Sequence, residues 1–315
     1  MIDPLAQVVG LLRPSASFSK LTYGAGCWRV RRTETGRPFY CVVLDGSCRL
    51  SLGGGEPITL EADDFVLIPA AYEFTVASIE PMPAGAADTC PVELRPGEYL
   101  LGSPDRSPDV CNLVGYCDFA SPDADLLVSL LPQLVHVRGE KRLSALVRMV
   151  NEESRAQRPA REVILARLLE ILLIEALRST TVSTGSPGLL RGLGDDRLAI
   201  ALRHIHDRPS APWTVAQLAK EAALSRSTFF ERFRQAVGVA PMEYLLQWRM
   251  ALAKDMLRRR DGGIADVAER VGYSSASTFS VAFTRQVGVP PTVYARRQVE
   301  GEATLSEALP AGVAP

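Results

Sequence analysis

The sequence predicts an α+β protein of several domains: a small N-terminal β-barrel, a helical segment, and an all-α C-terminal domain. Short β-rich runs separated by tight turns fill residues 20 to about 120. From residue 123 onward, apolar residues recur at helical spacing instead. The third observation is a repeat, because "LSRSTFFERFRQAVGVAP" at 224–241 returns almost unchanged as "YSSASTFSVAFTRQVGVPP" at 273–291.

The composition is that of a folded globular protein, with 47% hydrophobic and 23% charged residues over 315 positions. The most apolar stretch, 162–177, is interrupted by Arg167, Glu170 and Glu175, so we expect no membrane span. The first ten residues carry an acid and no basic run, so we expect no signal peptide and a cytoplasmic protein.

The predicted N-terminal β-domain is assigned to residues 1–122. Asp45-Gly46 predicts a two-residue hairpin turn between two apolar runs. One face of that hairpin would be buried and collects Phe39, Cys41, Val43, Cys48, Leu50 and Leu52. Asp63-Asp64 predicts a further turn, and a later strand within 109–121 would place Cys111, Leu113, Cys117 and Phe119 on one face.

Residues 123–180 are predicted to be helical. A helix over 141–155 would direct Leu143, Leu146, Val147 and Val150 to one side. The segment 160–179 is apolar nearly all round, which predicts cover on more than one side and therefore a homodimer. A linker is predicted at 181–194, and a flexible tail at 301–315.

The first copy of the repeat predicts a helix, a short turn and a second helix. Thr214 and Gln217 have the spacing of a capping box, and Ser225 is a suitable N-cap for the second helix. That helix carries an inward stripe of Phe229, Phe233 and Val237. Gly238 would end it, and Pro241 would begin the next helix.

The second copy repeats these devices, with Ser274 in the place of Ser225 and the stripe at Phe279, Phe283 and Val287. Each copy is thus predicted to be a helix-turn-helix within a domain at 195–300. A helix over 241–259 would hold the two copies in successive major grooves, about 34 Å apart. The domain carries 16 Lys and Arg against 11 Asp and Glu, which favours a polyanion partner.

Residues 195–300 resemble the DNA-binding domain of the AraC/XylS transcription regulators, above all through the run "AERVGYSSASTFSVAFTRQVGVPPTVYARR" at 268–297. The front half resembles their cupin-type sensing domain through "VVLDGSCRLSLGGGEPITLEADDFVLIP". The resemblance implies a transcription activator that binds double-stranded DNA, contacts RNA polymerase and is controlled by a small-molecule effector.

The predicted DNA contacts lie on the outer faces of the two second helices. In the first motif, Phe230 would meet a thymine methyl and the helix N-terminus a phosphate. Glu231 would either accept from a cytosine amino group or orient Arg226 or Arg234. The second motif offers smaller side chains, so we expect the first to supply most of the specificity. The residues are Ser225, Arg226, Ser227, Phe230, Glu231 and Arg234 in the first motif, and Ser275, Ala276, Ser277, Ser280, Val281, Thr284 and Arg285 in the second.

Two other functions are weighed against this one. A cupin-type enzyme would need converging metal ligands, but the chain has three histidines and only His136 lies in its front half, where we expect it beside a helix. No catalytic motif was found, so no enzyme activity, cofactor or metal is expected. A thiol-based redox sensor would use Cys27, Cys41, Cys48, Cys90, Cys111 or Cys117, although no pair has the predicted geometry of a disulfide.

Overall fold

The computed structural model describes residues 3–33, 36–70, 73–83, 85–121, 124–156, 158–179 and 187–296. The chain divides into two compact units, one at Leu5–Leu190 and one that begins at Arg191. Of the predicted linker, residues 181–186 lie outside the described residues, as does the whole predicted tail at 301–315. The remainder of the predicted linker contains a short helix.

Strands dominate the first unit as far as residue 119. They are β1 (Pro14–Ala25), β2 (Arg29–Arg32), β3 (Phe39–Leu52), β4 (Ile58–Glu61), β5 (Phe65–Ile68), β6 (Phe74–Ala77), β7 (Val92–Arg95), β8 (Glu98–Gly102), β9 (Val110–Phe119) and, later, β10 (Val135–Val137). Within the described part of the chain these ten strands form one sheet, whose main path is β10-β5-β3-β9-β1-β8-β7. Strands β4 and β6 pair with the far half of β3, so the sheet curls into a half-barrel.

The predicted hairpin at Asp45-Gly46 is wrong, because β3 continues through both residues. Gly46 has φ +75°, and a Cβ atom there would lie 2.0 Å from the Asp109 carbonyl oxygen. The glycine therefore allows β3 to lie close to the backbone at the start of β9, and it does not form a turn. The register with β9 shifts between Val43 and Asp45. That bulge moves the later side chains to the other face, so Val43 and Cys48 still share the core predicted for them.

Four helices of the described residues complete this unit: α1 (Pro4–Leu12), α2 (Ala124–Ser129), α3 (Lys141–Arg155) and α4 (Arg161–Ser179). Of these, α3 and α4 pack against β1. Helix α1 was not predicted, yet its Val8, Val9 and Leu12 are fully buried. In α3 the predicted stripe is largely confirmed, with Leu143, Val147 and Val150 buried and Leu146 half-buried. No helix of the described residues is both long and apolar enough to cross a membrane.

His136 lies in strand β10, which packs against α4, so it is beside a helix as expected but belongs to the sheet and not to the helical region. β10 pairs with β5, and the His136 Nε2 atom lies 3.1 Å from the Asp64 carboxylate. Asp64 also accepts hydrogen bonds from the backbone N–H groups of Glu61 and Gly139. This buried carboxylate therefore joins the predicted 63–64 turn to a strand seventy residues later, a pairing too distant for local patterns to reveal.

The second unit is all-α in its described residues. It contains α5 (Leu189–Leu193, which begins in the first unit), α6 (Asp196–Asp207), α7 (Val215–Glu221), α8 (Arg226–Val237), α9 (Pro241–Arg259), α10 (Ile264–Arg270) and α11 (Ala276–Val287). Helices α7 and α8 form the first helix-turn-helix, and α10 and α11 form the second. Helix α9 begins and ends at the predicted residues and connects them.

Candidate DNA-binding interface and barrel cavity

The first helix-turn-helix is held by the predicted capping bonds. Thr214 Oγ1 accepts from the Gln217 N–H at 3.2 Å, while the Thr214 N–H donates to the Gln217 side chain at 2.8 Å. Ser225 Oγ accepts from the Thr228 N–H at 3.2 Å. Phe229 and Phe233 are fully buried, and Gly238 ends α8 with φ +94°. The inward side of α8 is therefore fixed, which determines the side that remains outward.

The outward side of α8 presents the predicted set. Arg226, Ser227, Glu231 and Arg234 are exposed, as is Ser225 at the cap, while Phe230 is half-buried. The face thus offers cations, a carboxylate and the edge of an aromatic ring. These are the groups that pair with phosphates, with cytosine N4 and with a thymine methyl.

The second motif is capped by Ser275, which corrects the prediction of Ser274. Ser275 Oγ accepts from the Thr278 N–H at 3.2 Å, the same distance as in the first copy. The extra residue of the second turn therefore precedes the cap. From the cap onward, all equivalent positions of the two motifs differ by fifty residues.

The outward side of α11 has a different chemistry. Ser280 Oγ donates to the Ala276 carbonyl at 2.7 Å, and Thr284 Oγ1 donates to the Ser280 carbonyl at 2.7 Å. Both hydroxyl protons are thus engaged within the helix, and all three residues are half-buried. The exposed members of the predicted set are Ser275, Ser277, Val281 and Arg285. At 72% exposure, Val281 presents an apolar surface without a hydrogen-bonding group.

Helix α9 contributes to the cores of both motifs. Near its start, the Tyr244 ring lies 5.8 Å from the Phe233 ring of α8. Towards its end, Met250, Ala253 and Leu257 are buried in one cluster with Phe279 and Phe283 of α11. The two outward faces are therefore held by one continuous helix of 19 residues.

Residues 231 and 281 are equivalent, so they provide a matched test of the two motifs. We expect Glu231→Ala to relax base preference at one position by about 1–3 kcal/mol, and Val281→Ala to change it less. Likewise, Phe230→Ala should relax base preference more than Ser280→Ala does. Arg285→Ala should weaken all sequences alike and lower the salt dependence. Titration of each variant against a library of sites, at several salt concentrations, measures both effects. A larger change in base preference for Val281→Ala than for Glu231→Ala would contradict the prediction that the first motif supplies most of the specificity.

A second site lies inside the half-barrel, where an open cavity contains about 480 Å³ of unfilled space when the open solvent at its mouth is included. Its walls come from β1, β2, β3, β6, β8 and β9. Much of the lining is apolar, but Lys20, Thr22 and Asn112 are polar lining residues that are almost fully buried. Sequence analysis missed this set because Asn112 alternates with residues that were assigned by their apolar character.

The indole of Trp28 forms part of the cavity lining. It is fully buried, and a Cβ atom on Gly24 would lie 2.3 Å from its Nε1 atom, so only glycine leaves room for the ring. Among the described residues, no acceptor lies within hydrogen-bonding distance of this Nε1–H group. A buried donor in this state is uncommon in native proteins.

The six cysteines are all present as free thiols. Burial raises the pKa of Cys48 and of Cys117 to about 12 and that of Cys41 well above its usual value. Desolvation likewise raises the pKa of Cys27 and Cys111. Since the thiolate is the reactive form, these five positions are poor nucleophiles. Among the described residues, no group of three or more His, Cys, Asp or Glu side chains is placed to hold a metal ion.

Family comparisons agree with this two-part architecture. A cupin family model matches residues 3–181, and a helix-turn-helix domain model matches residues 218–297. A putative AraC-like transcription regulator of Streptomyces lividans is 34% identical over 93% of this chain and 98% of its own length. A second, from Streptomyces antibioticus, has the same identity and coverage. The RCS-specific activator RclR of Escherichia coli is 29% identical over 94% of this chain and 98% of its own.

Among solved structures, the DNA-binding domain of AdpA in complex with a target DNA is similar to this chain. It is 28% identical, and the match covers 37% of this chain and 97% of that domain, with a TM-score of 0.30.

Proposed function

The chain belongs to the AraC-like transcription regulators, and from this premise we propose that a small molecule in the barrel cavity controls how its two helix-turn-helix motifs hold DNA. The protein is a DNA-binding transcription regulator with a cupin domain, not an enzyme. In the proposal it acts as an activator in the cytoplasm, and it recruits or contacts RNA polymerase once the effector is bound. The name of the Escherichia coli relative, a transcriptional activator, supports the direction of control.

The cavity is the observation that carries the proposal. Protein interiors are close-packed, so an open cavity inside the half-barrel with buried polar residues in its wall is a feature that an occupant would explain. Its mixture of apolar walls with a few polar groups is typical of small-molecule sites.

A cavity-filling substitution tests this proposal. Val114 is half-buried in the wall, and Val114→Trp should occupy the space where an effector would bind. We expect wild-type operator affinity, or output from a promoter identified by genome-wide site mapping, to respond to small-molecule extracts of the source cells. Val114→Trp should retain DNA binding but lose the response. Val92→Trp, at an exposed position of β7, is the matched control. Equal responses of all three proteins would contradict control through the cavity.

We further propose that the protein is a homodimer and that α4 forms the interface. One side of α4 is buried in its own domain through Leu165, Leu169 and Leu172. Its other side carries Val163 at 61% exposure and Ile171 at 43%. With Ile164, also exposed, these residues form an apolar surface that a second copy would remove from water.

Ile171→Glu is therefore expected to shift the protein from dimer to monomer, because a carboxylate at the centre of an apolar interface would lose its hydration. Sedimentation velocity at micromolar concentration measures the change against the monomer mass of 34.2 kDa. Leu94→Glu, at an exposed apolar position of β7, is the control and should leave the dimer intact. A wild-type protein that sediments as a monomer would rule out this interface.

A thiol-based redox sensor is the alternative regulator. The name of the relative RclR, an RCS-specific activator, keeps this alternative in view. The raised pKa of the buried thiols Cys41, Cys48 and Cys117 opposes it, because burial favours their unreactive protonated form. An oxidant-dependent change in operator affinity that one Cys→Ser variant abolishes would favour the alternative.

A further inference from the structure

We infer that the barrel cavity binds a small organic monoanion with an apolar, ring-sized body, and that Lys20 and Arg32 receive its carboxylate. The inference rests on the proposed function and specifies the chemistry of its effector. Three features of the cavity carry it: the placement of the charged residues, the aromatic walls, and the sign of the lining charge.

The charged lining residues lie away from Trp28 along their strands. From Trp28 into β2, the lining residues are the buried Trp28, then Val30, and then the half-exposed Arg32. Along β1, in the reverse direction, Gly24 contacts Trp28, and Thr22 and Lys20 follow at two-residue steps. Side chains at such steps share one face of a strand. Both cations are therefore the last lining residues of their strands, counted from the Trp28 end.

The space beside these cations is walled by rings. Phe74 pairs with Arg32 across the sheet, and its ring centre lies 4.6 Å from that of Phe39. Phe39 in turn lies 5.3 Å from the ring of Tyr116. Val76 and Val114 complete this wall. Aromatic faces and edges at these distances favour a flat apolar body over a hydroxylated one.

The lining charge has one sign. Of the described residues that line the cavity, two are cationic and none is acidic. Lys20 is 8% exposed, with its Nζ atom 4.7 Å from the ring centre of Tyr99. A carboxylate that enters this wall meets two opposite charges in a partly desolvated place, whereas an amine would be repelled.

A carboxylic acid and its amide have nearly the same shape but differ in charge, so comparing their affinities isolates the contribution of the charge. We propose calorimetric titration of the full-length protein with 3-phenylpropanoate and with 3-phenylpropanamide, and with inorganic phosphate as an anion without an apolar body. We expect the acid to bind roughly ten- to a hundredfold more tightly than the amide, the range for a hydrogen bond to a charged group. Phosphate should not bind.

Lys20→Met should remove most of that preference and leave the affinity for the amide unchanged. Because Lys20 is buried, Arg32→Gln provides a second variant with the same expected loss if the first fails to fold. The control is Arg31→Gln, one residue away but exposed, with its guanidinium 3.7 Å from Glu73 and from Asp88. It should retain the preference for the acid.

The inference is overturned if the amide binds as tightly as the acid, if neither compound binds at millimolar concentration, or if the acid preference survives both substitutions. These outcomes are distinguishable from failure of the proposed function. If a neutral compound binds to the wild type but not to Val114→Trp, the ligand is not an anion, while the cavity is still the effector site. If the acid binds but Val114→Trp leaves promoter output unchanged, the cavity binds an anion that does not control the promoter.

Discussion

Phe233→Ala is expected to lower the free energy of unfolding of the DNA-binding unit by about 3–5 kcal/mol, the usual cost of removing a buried phenyl ring. Phe233 is fully buried between Phe229, at 5.6 Å between ring centres, and Tyr244, at 5.8 Å. No neighbour can fill the space without moving α8 against α9. A loss of this size is a large fraction of the stability of a domain.

Hydrogen exchange of α8 and α9 peptides, followed by mass spectrometry in the full-length protein, resolves this loss from the stability of the barrel unit. Phe230→Ala is the matched control, since Phe230 lies three residues earlier in the same helix, is only half-buried and is on the outward side. It should change exchange little while relaxing base preference. Equal protection of α8 in the Phe233 variant and the wild type would show that the stripe does not hold this motif.

Acid is expected to destabilise the same unit through His206. The side chain is 1% exposed, and burial lowers its pKa to about 3. In the unfolded chain the pKa would be about 6.5. Below that pH the unfolded state binds a proton that the folded state refuses until about pH 3. The stability that the neutral imidazole provides is therefore present above pH 6.5 and is lost as the pH falls, by up to about 1.4 kcal/mol per pH unit.

Urea unfolding at a series of pH values between 4 and 7 measures this slope, with tryptophan fluorescence as the signal. His206→Gln is the informative variant. A glutamine can still hydrogen-bond the Tyr244 hydroxyl, which lies 2.7 Å from His206 Nε2, but it does not titrate. The variant should show a flatter dependence on pH. Parallel curves for variant and wild type would assign the acid sensitivity to other groups.

The helix-turn-helix domain could be predicted almost residue by residue, because its signals are local. Capping residues, a stripe at four-residue spacing and a glycine with positive φ each act within one turn of helix. The one error there, Ser274 in place of Ser275, arose because two adjacent serines both satisfy the capping preference. The hydroxyl that accepts from the Thr278 N–H group is that of Ser275, one residue further along.

The half-barrel was predicted in outline but not in its connections. Asp45-Gly46 has the composition of a hairpin turn, yet the glycine is used where β3 passes close to Asp109. The pairing of β10 with β5 joins residues some seventy positions apart, and no local pattern encodes it. The cavity residues Lys20 and Asn112 escaped notice for a related reason: polar side chains on a strand are read as outward until the curl of the sheet places them inside.

The 19 residues of α9 also bear on how an operator can evolve. Because both cores include this helix, neither motif can turn about the DNA axis without the other. One inserted base pair between the two subsites would rotate them by about 35° relative to each other, given 10–10.5 pairs per helical turn. A rigid connector cannot follow that rotation. Point substitutions within a subsite should therefore be tolerated more readily than insertions or deletions between subsites. The spacing between the two subsites is then expected to stay constant while their base sequences vary.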